Sequence, residues 1–151
     1  MIKKYCSITV IACFLAVATI YFIGSSAIAE TLLKTEPTEA VLDPKSLAAV
    51  KIKGTGFNAE DRIMIVLAGA DKGKDIAIAT ADADASGSFE TTMNMLSILQ
   101  GIFHFRYQEG KPIPDPNNPP IMTGSYKMKA LSWDSKLEAM SHFDIKAPEK
   151  K

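Results

Sequence analysis

Along most of this chain apolar and polar residues take turns, with the two-residue period of β-strands that bury one face and wet the other. Val50 and Ile52 alternate with Lys51 and Lys53, Ile76 and Ile78 stay in phase, and Phe89, Thr91 and Met93 alternate with Glu90 and Thr92. Later, Tyr126, Met128 and Ala130 alternate with Lys127 and Lys129, and Leu137, Ala139, Ser141, Phe143 and Ile145 alternate with Glu138, Met140, His142 and Asp144. The segment RIMIVLAG is apolar in both phases, with Ile63, Ile65 and Leu67 on one side and Met64 and Val66 on the other. It is therefore expected to be a central strand whose second face is covered, by the long loop that follows Met93. A short first strand at Val41 and Leu42, ended by Asp43 and Pro44, brings the total to about seven, the pattern of an antiparallel β-sandwich.

Between the strands, the segment ADADASGSF, ending at Phe89, reads as a hairpin tip: Asp side chains fold back on nearby N–H groups and Gly87 supplies a positive φ. The other long interruption, residues 94–123, has two halves. Met95, Ile98, Leu99 and Ile102 fall at helical spacing, with Asn94 as N-cap and Gly101 as stop, so a short helical turn is predicted between the fifth and sixth strands. The second half is polar and carries Pro112, Pro114, Pro116, Pro119 and Pro120, which hold the backbone extended.

The first 29 residues differ from all that follows. Lys3 and Lys4 precede an apolar run over residues 6–23, and Ala27 and Ala29 form a small-x-small signal peptidase pattern, so export with cleavage before Glu30 is expected. An uncleaved segment would instead be a membrane anchor, the only route to a membrane. A lipobox ending at Cys13 is set aside, because cutting there would leave an apolar mature N-terminus. Residues 30–39 read as a flexible lead-in, 40–147 as the domain and 148–151 as a charged tail.

Both cysteines, Cys6 and Cys13, lie in the leader, so the mature chain has no thiol for disulfides, catalysis or metal ligation. The 17 basic residues balance 17 acidic ones, which argues against nucleic acid as a partner.

The order GTGF with an acidic residue soon after, then ADADASGSF, then GSYKMKA resembles bacterial immunoglobulin-like and IPT/TIG-type sandwich domains of secreted and surface proteins. The likeness runs from Val41 to Ile145. It implies an immunoglobulin-like fold in which the glycine pair and Phe57 shape an early turn, the Asp/Gly/Phe segment is a hairpin, and Gly-x-Tyr opens a late strand. Residues 94–123 depart from it, because such domains need only a short connection there.

Candidate chemistry is sparse. Gly54, Gly56 and Ala59 fit a dinucleotide fingerprint formally, but a strand follows them where a helix N-terminus would be needed. Asp82, Asp84, Ser86 and Glu90 imitate part of a calcium loop, with Met93 where the bidentate Glu belongs. His104 and His142 lack metal-ligand spacing, and no serine sits in a nucleophile elbow. No catalytic residue and no cofactor is expected. The candidate binding residues are Phe103, Phe105, Arg106, Tyr107 and Trp133, aromatic and Arg side chains that are either core or an exposed contact surface for an envelope protein, a glycan or a second copy of the chain. The expected function is an exported, non-catalytic binding or assembly module in the periplasm, at the cell surface or secreted. The competing expectation is an enzyme or calcium-dependent accessory protein, which would require His104, Arg106, Glu109 and Asp115 to converge in a pocket.

Overall fold

The computed structural model describes residues 30–149, so the expected leader and its cleavage point lie outside the described residues. The fold is all-β, a sandwich of two larger sheets. Its strands are β1 (Leu32–Glu36), β2 (Glu39–Val41), β3 (Lys51–Thr55), β4 (Arg62–Asp71), β5 (Lys74–Asp82), β6 (Phe89–Thr92), β7 (Phe105–Gln108), β8 (Lys111–Pro114), β9 (Gly124–Ser132) and β10 (Glu138–Lys146). Two short helices interrupt them: α1 (Pro44–Ala48) and α2 (Met95–Ser97), the latter running into a π-helical turn at Ile98–Ile102. Among the described residues, no helix is long and apolar enough to cross a membrane.

One sheet has the order β1-β3-β6 and the other the order β2-β10-β9-β4-β5, while β7 and β8 form a separate two-stranded sheet. The core lies between the two larger sheets. Leu33, Ile52 and Phe89 from the first meet Ile63, Ile65, Leu67, Ile78, Met128, Phe143 and Ile145 from the second, and Leu47 of α1 joins them fully buried. These are the apolar phases of the alternation, and burying them supplies the main driving force for folding.

The seven anticipated strands are present and three more accompany them. Residues 30–39, expected as a lead-in, contain β1, which pairs antiparallel with β3 from Leu32↔Thr55 to Glu36↔Lys51. Leu33 and Thr35 face inward and Leu32, Lys34 and Glu36 outward, so the alternation was there, but charge and Pro37 obscured it. The chain then changes sheets at Pro37 and Thr38, and β2 lies parallel to β10 with Ile145 opposite Ala40. The sandwich is therefore antiparallel except along this one edge.

The segment 83–88 is not a hairpin tip. β5 and β6 belong to different sheets, and the segment arches between them. A neighbouring loop holds the arch: Phe57 N–H donates to Gly87 O at 3.1 Å, Ala83 N–H to Asp61 O at 2.9 Å, and Glu60 N–H to Ala83 O at 3.1 Å. Turn chemistry of this kind looks the same from sequence whether the chain returns along its own sheet or crosses to the other. Gly54 is buried beneath the Phe89 ring, which stacks at a tilt on Phe57 with centroids 5.6 Å apart.

β4 is an interior strand, flanked by β9 and β5. A bulge between Ile65 and Val66 breaks the alternation and leaves Ile65, Val66 and Leu67 all buried. The insert does not cover Met64, which stays half-buried beside Leu131, Trp133 and Lys136 on the outer face of the sheet. Residues 94–102 pack instead at the β5 edge, where Asn94 N–H donates to Ile78 O at 2.7 Å.

Candidate functional site

The insert begins as expected and then departs from the expectation. Asn94 Oδ1 accepts from Leu96 N–H at 2.9 Å and from Ser97 N–H at 3.3 Å, capping α2. Gly101 does not stop the helix; it lies inside the π turn, which closes with Phe103 N–H on Ile98 O at 3.0 Å. Its lack of a side chain serves close packing, since a Cβ there would lie 2.5 Å from Ile76 Cγ2. Ile98 and Ile102 are completely buried, whereas Met95 of the same predicted stripe is exposed. The helical turn is therefore anchored in the core through Ile98 and Ile102.

The rest of the insert leaves the domain and returns through a narrow neck. Ile121 N–H donates to Ile102 O at 3.0 Å, closing an excursion over residues 103–120. His104, at φ 52°, turns the chain outward. Its largely buried ring places Nδ1 2.6 Å from the Pro119 carbonyl, and since a carbonyl only accepts, Nδ1 carries the proton. Nε2 has no hydrogen-bond partner among the described residues and lies 3.7 Å from Asp71 Oδ1. Beneath the neck is a cleft of about 430 Å³, walled by the Gly69–Gly73 turn and by Pro119–Met122 and backed by Tyr126. The Tyr126 hydroxyl donates to the Met122 carbonyl, and burial pushes its pKa up. Lys72 Nζ donates to Asn118 Oδ1 at 3.2 Å across the mouth.

Beyond the neck, β7 and β8 form a hairpin with Phe105↔Pro114, Arg106↔Ile113, Tyr107↔Pro112 and Gln108↔Lys111 in register. Its two-residue turn has both residues at positive φ, Glu109 at 51° and Gly110 at 78°, the geometry of a type I′ turn. Phe103 and Phe105 are half-buried and meet edge to face, centroids 6.1 Å apart, at the hairpin's root. Arg106 and Tyr107 are exposed, and Arg106 Nη2 lies 3.5 Å from Asp115 Oδ1. This hairpin was not anticipated, although Phe103, Phe105 and Tyr107 alternate with His104 and Arg106; the prolines concealed it by reading as strand breakers.

The structure divides the five candidate binding residues. Phe103, Phe105, Arg106 and Tyr107 cluster at the insert, but Trp133 sits at the opposite end of β4, where its N–H donates to Arg62 O at 2.9 Å. The calcium-loop candidates do not come together either. Asp84 Oδ1 accepts from Ser86 N–H at 2.8 Å, Ser86 Oγ at 2.6 Å and Ser88 N–H at 3.1 Å, and these donors, the Ser86 hydroxyl first, hold its carboxyl below the usual carboxylate range. Asp82 lies 3.7 Å from Arg62 Nε, and Glu90 reaches Lys51 and Lys53 at 3.6 and 3.9 Å. Asp84 is thus committed to the arch, and among the described residues no group of three or more His, Cys, Asp or Glu side chains could hold a metal. His104, Arg106, Glu109 and Asp115 do not converge: Arg106 pairs with Asp115 on the hairpin, Glu109 sits at its tip, and His104 faces Asp71.

Near Trp133, Asp61 forms a polar cluster with Ser132 and Ser135, two serines that no local spacing connects to it. Asp61, 5% exposed, accepts from Ser135 Oγ at 2.5 Å and from Asn58 N–H at 3.2 Å through Oδ2, while Ser132 Oγ stands 2.8 Å from Ser135 Oγ. The Ser135 hydroxyl is the main cause that lowers the Asp61 pKa. A depressed folded-state pKa stabilises the fold above the unfolded value, about 3.9 for Asp, and that contribution is lost as pH falls through the folded value. Asp61→Asn is therefore expected to lower Tm by several degrees at pH 7, with the gap to the unaltered protein narrowing steadily below about pH 4 in calorimetric scans.

No family model matches this chain, and no curated protein matches it. A solved structure described as a tetra-tandem repeat in the extending region of a large adhesion protein is similar at 15% identity over 76% of this chain, with a TM-score of 0.40. The match covers 24% of that longer chain, so this chain spans about a quarter of its length.

Proposed function

We propose that this protein is an exported, non-catalytic β-sandwich module of the cell envelope, of the immunoglobulin-like, IPT/TIG-type kind, that makes its contacts through the β7–β8 hairpin. The observation that carries the reading is how the insert is built. Its first half is locked into the core by Ile98 and Ile102, its neck is pinned at Ile121 and His104, and its second half presents Arg106 and Tyr107 to solvent. Ordering such an excursion costs conformational entropy, and the exposed residues return none of it through core burial. Exposed Arg and Tyr are favoured interface anchors. Export is supported by the leader-like first 29 residues.

Replacing Arg106 and Tyr107 together by alanine is expected to leave stability within about 0.5 kcal/mol, as for surface positions generally, and to abolish capture of the partner from envelope extract. Trp133→Ala, at the other end of the domain, should retain capture. If the double variant captures the same proteins in the same amounts, the hairpin is not the contact surface.

A further inference from the structure

The two edges of the β7–β8 hairpin differ in a way that bears on what binds there. In a hairpin closed by a two-residue turn, the pair flanking the turn exchanges both main-chain hydrogen bonds, and bonded and non-bonded pairs alternate from there. With Glu109 and Gly110 as the turn, the bonded pairs are Gln108↔Lys111 and Arg106↔Ile113. The backbone groups of Pro112 and Pro114 then point away from β7, and those of Phe105 and Tyr107 point away from β8. Both outward positions of β8 are proline and have no N–H to offer, so that edge is closed to a further strand. Both outward positions of β7 retain their N–H and C=O groups, and among the described residues no strand pairs with that edge. Among the described residues, neither Phe105 nor Tyr107 makes a backbone hydrogen bond outside the hairpin.

We infer that the open edge of β7 pairs antiparallel with β7 of a second copy of this chain, joining two hairpins into a four-stranded sheet. The inference rests on the proposed role of the hairpin as the contact surface and names its partner. One register satisfies both outward residues of each copy: Phe105 opposite the second copy's Tyr107, and Tyr107 opposite its Phe105. A shift by two residues in either direction sets Phe105 against the second copy's Glu109 in the turn, or Tyr107 against its Phe103 before the strand begins. The favoured register makes about four main-chain hydrogen bonds and sets aromatic rings opposite one another, a stabilising cross-strand pairing. The two Arg106 side chains meet at the two-fold axis, and each already has a carboxylate neighbour in its own Asp115, 3.5 Å away. Because proline closes the other edge, pairing stops at two copies and does not continue into a fibre. Two four-residue strands bury less than the roughly 1,200 Å² of a standard stable interface, so the pairing is reversible.

Sedimentation of the purified protein over a concentration series reaching the millimolar range should show monomer passing to dimer with no larger species. Tyr107→Pro, which removes one outward N–H and no bond within the hairpin, should leave a monomer at every concentration with an unchanged Tm; Tyr107→Phe should still dimerise. In a chain with Cys6 and Cys13 replaced by serine, Arg106→Cys should form a disulfide-linked dimer on mild oxidation, since facing residues of a non-bonded pair lie at disulfide distance, and Lys111→Cys should not. A protein that is monomeric throughout, or an Arg106→Cys chain that cross-links no faster than the Lys111→Cys chain, overturns self-pairing. If the protein is monomeric while the Arg106/Tyr107 double variant loses envelope capture, the edge serves a different chain and only the self-pairing is overturned. If it dimerises through Arg106→Cys while capture ignores the hairpin, self-pairing stands and the wider reading of the hairpin as the envelope contact fails.

Discussion

Gly87→Ala is expected to cost roughly 2–5 kcal/mol of stability, made up of about 1–2 for a side chain held in the left-handed region and about 1–3 for forced overpacking. Gly87 has φ +75°, and a Cβ there would lie 1.9 Å from the Phe57 carbonyl oxygen. The obstacle is backbone, so no side-chain rotation relieves it. Moving the two segments apart would lengthen the 3.1 Å bond from Phe57 N–H to Gly87 O and loosen the arch between the sheets. Since a domain of this size has about 5–15 kcal/mol in total, much of the stability would go. Gly110→Ala is the control: it has a similar φ, +78°, but nothing lies within 4 Å of the added Cβ, so only the conformational cost applies. Urea titrations of both variants check the prediction, and equal losses would mean that the close approach at Phe57 is absent.

The second large effect is expected at Ile102→Ala, about 2–5 kcal/mol for a buried side chain removed with partial collapse of the cavity. Ile102 is completely buried, and its carbonyl receives Ile121 N–H at the neck of the insert. Tyr107→Ala, five residues along the same insert, should cost no more than about 0.5 kcal/mol because it leaves an exposed position. Measured side by side in urea, the pair separates the half of the insert that belongs to the core from the half that is presented to a partner. Equal and small losses would place the helical turn outside the core.

Several features of the fold were legible in the residues themselves. The inward phases of β3, β5, β9 and β10 follow the alternation of Ile52, Ile76, Ile78, Met128, Ala130, Ala139, Phe143 and Ile145, all buried. Asn94 was readable as an N-cap because capping depends on residues only two and three positions away. The candidate site was legible in part. Phe103, Phe105, Arg106 and Tyr107 do share one end of the domain, but joining Trp133 to them relied on residue type alone, and residue type carries no position. The hairpin is hidden at the level of sequence because proline in a short strand is a breaker on one edge and tolerated on the other, and only the register reveals which edge it occupies.

Local features are therefore legible in the residues alone: strand periodicity, the buried phase of each strand, the cap at Asn94, and the exceptional character of residues 94–123. These depend on neighbours within a few positions, where backbone geometry and side-chain type are sufficient. Long-range contacts set four other features: the chain from Ala83 to Ser88 crosses between sheets, Leu32–Glu36 is an edge strand, Ser135 meets Asp61, and one side of the β7–β8 hairpin is open. The physical reason is common to all four. Two inward faces of equal apolarity accept a strand equally well, and the choice falls to contacts between residues distant along the chain, such as Phe57 with Gly87 and Asp61 with Ser135, that no periodicity records.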